Sequence, residues 1–115
     1  MSCKIINKTN GQCISSDAKV AKTFIERLVG LLNRKSLPPE EALIFYNVSS
    51  IHMFFMRFPI DVVFLDSNMQ VIRICQNLKP WRLASCLKAA ITIELPNGRA
   101  ENTHLALGDI LEFVS

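Results

Sequence analysis

From Ala42 onward the chain is a succession of short apolar runs: ALIFYNV, IHMFFM, DVVFLD, QVIRICQNL, AAITIEL and DILEFV. Each is rich in Ile, Val or Phe and each is closed off by turn chemistry, the composition of strands rather than helices. The tetrapeptide DSNM at 66–69 joins two of them as a short hairpin connection, while Pro96-Asn97-Gly98 and Gly108-Asp109 punctuate the last ones. Most intervals are too short for helical crossovers, so the strands must pair mainly antiparallel. Residues 62–65 are apolar on both faces and need cover from both sides. The expectation is an α+β fold: a mainly antiparallel, strongly bent, barrel-like sheet with one principal helix and short helical or loop cover. With 115 residues and neither linker nor internal repeat, residues 1–115 read as a single domain.

The first third differs. Asn10-Gly11 lies between apolar-bearing arms, the signal of a tight hairpin. The one convincing helix follows. Thr23 and Glu26 form a potential capping box, and Phe24, Ile25, Leu28, Val29 and Leu32 recur at helical spacing. The spacing predicts an end near residues 33–35, and Pro38-Pro39 prevents continuation.

Charge and cysteine usage narrow the function classes. Residues 1–35 hold seven Lys or Arg against two acids, and residues 67–93 hold Arg73, Lys79, Arg82 and Lys88 with no acid. Such asymmetry marks either an anion-facing surface or a solvated, solubilising one. The four cysteines (Cys3, Cys13, Cys75, Cys86) include no CxxC pair, and only two histidines are present, which argues against a zinc site and gives no reason to expect a metal or cofactor. No apolar run approaches the length that spans a bilayer, and the opening MSCKIINKTNG has no apolar leader core. The expectation is therefore a cytoplasmic protein with free thiols and no membrane partner. Phosphate-binding glycine loops, HExxH and GxSxG are absent.

Three features carry candidate chemistry. In an extended run His52, Phe54 and Met56 share one face and Met53, Phe55 and Arg57 the other, until Pro59 breaks the ladder between Arg57 and Asp61. An imidazole, a guanidinium and a carboxylate at one strand break can form a small polar site, with Arg57 on an anion and Asp61 orienting its neighbours. The alternative is an internal Arg57–Asp61 pair and a histidine satisfied by backbone. On the helix, Arg27, Gly30 and Arg34 share a face. A helical glycine costs about 1 kcal/mol relative to alanine, so Gly30 suggests close approach by a ligand or another backbone, with two arginines beside it. Lys79-Pro80-Trp81-Arg82 places the sole tryptophan among cations in a predicted loop. It can stack on a ligand or cap the end of the sheet. One aromatic among so few cations argues against a nucleic-acid surface.

Several of these residues resemble a known family, the prokaryotic proteins grouped as domain of unknown function 192. RLVGLLNR at 27–34 is similar to the family's Arg-x-x-Gly-Leu-Met-x-Arg element, and residues 51–66 to its block of aromatic and Met leading into Pro-Ile/Leu-Asp. KPWR at 79–82, ELPNG at 94–98 and LGD at 107–109 match later elements, so the resemblance runs over about residues 20–114. Leu32 replaces the usual Met, Asn97 a common Ala and Ala42 a frequent Gly. The resemblance implies a mostly antiparallel, barrel-like fold with small helical cover, and no established activity. Its motif positions coincide with Arg27, Arg34, His52, Arg57, Asp61, Trp81 and Arg82. The leading expectation is a binding module for an anionic small molecule or a peptide carboxylate. The alternatives are a protein- or nucleic-acid-interaction domain, and a hydrolase or isomerase using His52 and Asp61 as an acid–base pair. Oligomeric state is not legible in the sequence.

Overall fold

β5 (Ile60–Leu65, IDVVFL) sets the architecture, because all six of its residues are buried. A strand buried on both faces must lie inside a sheet with a core on either side. The computed structural model, which describes residues 2–21, 36–53 and 56–115 and only the main chain of His52, shows that arrangement. In chain order come β1 (Ser2–Asn7), β2 (Cys13–Val20), β3 (Glu41–Tyr46), β4 (Ser50–His52), β5, β6 (Val71–Leu78), β7 (Leu83–Ser85), β8 (Ile91–Pro96), the single-turn helix α1 (Arg99–Asn102) and β9 (Leu111–Val114). Seven strands form one sheet in the order β6-β5-β8-β3-β2-β1-β9, and β4 pairs with β7 in a separate two-stranded ribbon.

Every neighbouring pair in the large sheet is antiparallel except β2 and β3. The exception follows from chain length. Residues 21–40 separate β2 from β3, enough for the long crossover that a parallel pair needs. The Asn10-Gly11 hairpin joins β1 to β2, with Gly11 at φ +79°. The DSNM turn joins β5 to β6: Asp66 Oδ1 accepts from the backbone N–H of Asn68 (2.8 Å) and of Gln70 (3.0 Å).

Alternation along β5 divides its side chains between two cores. Val63 and Leu65 pack with Ile5, Ile14, Ile44, Ile93 and Leu95 on one face. Ile60, Val62 and Phe64 pack with Phe45, Ile51, Met53, Met56 and Phe58 on the other. Burying each such side chain contributes about 1.5–3 kcal/mol.

Two expectations are corrected. The sheet bends until its edges touch, but it is not a closed barrel. β6 and β9 meet only around one bridge, Gln70 with Ile110, supported by Leu111 N–H to Met69 O (2.9 Å) and Val71 N–H to Asp109 O (2.8 Å). The register explains why. Running antiparallel from that bridge, β9 passes alongside the 66–69 turn, and β6 passes alongside residues 102–109, which are turn and helix end. Neither edge has a strand opposite it, so the ladder stops. The described residues are also predominantly β, with α1 their one short helix, so the α+β description fits only in part. The predicted helix over 23–35 lies outside the described residues.

Candidate functional site

The ribbon of β4 and β7 brings together two features that lie apart in sequence. Ser50, Ile51 and His52 stand opposite Ser85, Ala84 and Leu83. Beyond the ladder, the Met53 N–H donates to Arg82 O and the Trp81 N–H donates to Met53 O, both at 2.8 Å. The KPWR loop is thereby tied to the residue after His52. Apolar burial fixes the ribbon: Ile51, Met53 and Ala84 are all within the second core.

Those bonds also correct the expected long strand through residues 51–56. Met53 spends both its backbone groups on the loop, and the Met56 N–H turns back to Met53 O (3.3 Å). Met53 and Met56 both pack into the second core, whereas strict alternation would put them on opposite faces. Phe54 and Phe55 lie outside the described residues.

Arg57 and Arg82 are exposed, and Trp81 is 59% exposed. Trp81 sits at φ +70°, a left-handed conformation that is a genuine outlier for a bulky residue. The Arg82 N–H to Lys79 O bond (3.2 Å) closes the turn that holds it there. Position 52 is opposite Leu83 in the ladder, and the His52 side chain lies outside what is described. Arg27 and Arg34 also lie outside the described residues.

Asp61 is placed differently from the others. It is fully buried on β5. Its Oδ1 accepts from the Asn77 N–H (2.9 Å) and its Oδ2 from the Ala100 N–H (3.0 Å). The cause is local. Gly98 caps α1 with no side chain to offer, so the orphan N–H at the helix start takes its acceptor from β5. Asn77, at φ +53°, is held at the distorted end of β6 by the other oxygen. A carboxylate so enclosed joins β5, β6 and α1.

Phe58, Pro59, Pro96, Asn97, Arg99 and Asn102 help to line a cleft of about 450 Å³. Its cation, Arg99, was not singled out in the sequence. The guanidinium donates to Ile14 O (2.8 Å) and Cys13 O (3.0 Å), tying α1 to β2. Glu94 was also missed. It is 1% exposed, between Leu43 on β3 and Val62 on β5. Thr92 and Glu94 alternate with Ile91, Ile93 and Leu95, which reads as a polar outer face, yet all are buried. The only sequence signal for Glu94 was its place in the ELPNG element. Among the described residues no group of three or more His, Cys, Asp or Glu is arranged to hold a metal ion. The four cysteines are unpaired, and burial pushes the Cys3 thiol above its ordinary pKa. No helix among the described residues is long and apolar enough to cross a membrane.

Comparison with known proteins places this arrangement in context. The profile of the DUF192 family, described as an uncharacterised ACR, matches residues 5–113. The UPF0127 protein of Pyrococcus horikoshii is 35% identical, over 95% of this chain and 97% of the relative. That of Pyrococcus furiosus is 37% identical, over 95% of this chain and 97% of the relative. A crystal structure of a protein of unknown function from Novosphingobium aromaticivorans superposes with a TM-score of 0.79 at 21% identity, covering 97% of this chain and 84% of that one. A protein from Sinorhizobium meliloti, provisionally named a transcription regulator, superposes with a TM-score of 0.77 at 22% identity, covering 96% of this chain and 91% of that one. At that identity the two structures speak for the fold alone.

Proposed function

The chain belongs to the DUF192 family, a family described as uncharacterised, and from that premise we propose that it is a binding module for an anionic small molecule or a peptide carboxylate. One observation carries the reading: main-chain hydrogen bonds bring the residue after His52 against Trp81 and Arg82, in a region where the loop carries cations and no acid. Arg57 and Arg82 supply the charge, with the planar fork that suits a carboxylate or phosphate. Trp81, next to Arg82 in the chain, supplies an exposed apolar wall. The sequence adds His52, Arg27 and Arg34 as candidates for the same ligand, their side chains lying outside the described residues. Asp61, with both oxygens taken by main-chain N–H groups, serves as framework. That bonding leaves the acid–base pairing of His52 with Asp61 without support.

The test is thermal unfolding of the full chain against phosphate, sulfate, acetate and N-acetylglycine, each compared with chloride at equal ionic strength. An anion at ten times its Kd adds about 1.4 kcal/mol, which raises the Tm of a domain this size by roughly 5 °C. Arg57→Gln and Arg82→Gln are expected to keep the unliganded Tm, since both side chains are exposed, and to lose the response. A panel without effect, or a response that survives both substitutions, overturns the proposal.

A further inference from the structure

We propose that residues 79–88 form a docking surface for a second protein, one that presents acidic side chains around an apolar pocket. Trp81, Leu83 and Leu87 are 59%, 68% and 96% exposed. Single exposed aliphatics are ordinary, but three large apolar side chains within residues 81–87 need an explanation. Lys79, Arg82 and Lys88 are interspersed with them and exposed, and no acid occurs from residue 67 to residue 93.

The segment is held in place at several points. Beyond the β4–β7 ladder and the Met53 bonds, the Cys86 N–H donates to Ser49 O (2.8 Å). Arg73, reaching from β6, donates from its guanidinium to Ser85 O (2.6 Å). Trp81 is fixed in its left-handed conformation by main-chain bonds on either side. Apolar anchors on a main chain held in advance, with a tryptophan next to an arginine, suit a protein interface, because less backbone freedom is lost on binding.

Charge and chemistry then select the partner. A second copy docking through the same patch would face its own cations and is disfavoured by repulsion. Nucleic acid offers the cations a counterpart but gives Leu83 and Leu87 nothing to bury against. A lipid surface accepts both kinds of side chain, yet it gains nothing from a main chain held in one conformation at Trp81. An acidic protein surface with an apolar pocket answers every element. The surface shares Trp81 and Arg82 with the anion site, and Leu83 and Leu87, whose side chains have no part in that reading, are what distinguish the two.

Trp81 is the only tryptophan, so its fluorescence reports directly on the patch. Random peptides displayed on phage are panned against the full chain, and the selected sequences are synthesised and titrated. Selected peptides are expected to combine Asp or Glu with Leu or Phe, to shift Trp81 emission to the blue, and to weaken with added salt. Leu83→Ser and Leu87→Ser should each raise the peptide Kd at least about tenfold, or 1.4 kcal/mol, with Tm and the anion response unchanged. Selection of peptides without acidic residues overturns the inference, as does binding to the two serine variants as tight as to the unsubstituted chain. Emission that shifts with phosphatidylglycerol–phosphatidylcholine vesicles but not with the selected peptides assigns the patch to lipid and overturns it as well.

Discussion

Trp81 and Asp61 show how differently two polar-neighbour residues are used. A tryptophan at φ +70° costs on the order of 1–3 kcal/mol of backbone strain. Asparagine tolerates that conformation far better. Trp81→Asn should therefore leave Tm unchanged or raise it, while removing the anion response, measured on the same sample by thermal unfolding with and without anion. A fall of several degrees would mean that the indole is there to hold the fold. Asp61→Asn is expected to do the opposite of a surface change. An amide oxygen can accept one of the two N–H groups, but its NH₂ meets the other, so one buried donor loses its partner. Urea unfolding should show a loss of about 2–3 kcal/mol. Asp61 looked available in the sequence because Pro59 precedes it in a strand break. Its donors come from Asn77 and Ala100, too far along the chain for local pattern to reveal. Glu94 escaped for a similar reason: alternation identifies two faces of a strand but not whether the second is covered.

At the scale of elements, local chemistry was legible and pairing partners less so. Asn10-Gly11 and DSNM announce their hairpins because only a few residue types accept the backbone those turns need. Gly11 has open space around a Cβ position, so only its φ of +79° resists substitution. Gly11→Ala should cost about 1 kcal/mol by urea unfolding, and no measurable loss would show that the turn relaxes freely. The run IHMFFM was harder. Its composition is that of a strand, but pairing with β7 ends at His52 and the chain turns inward at Met53. Three-residue β7 lies in a segment whose Pro, Trp and Arg read as loop, so the ribbon that builds the candidate site had no signature of its own.

For the molecule as a whole, mainly antiparallel pairing was readable from the spacing of apolar runs, and closure was not. Whether two sheet edges join depends on register across β6 and β9, and there the strands overshoot one another. Among the described residues β6 is a terminal strand of the sheet, and its edge carries exposed Arg73 and the left-handed Asn77, features that discourage pairing with another chain. Cations without acids over residues 67–93, one exposed tryptophan and the ribbon that carries them make that end of the fold the place where an anion should bind. The direct test is titration of ¹⁵N-labelled protein with phosphate and N-acetylglycine, followed by amide chemical shifts. The account predicts saturable shifts concentrated at residues 52, 53, 57 and 81–83, with residues 97–102 beside the Pro59 cleft unmoved. Shifts centred on residues 97–102, or spread evenly over the surface cations without saturating, would contradict it.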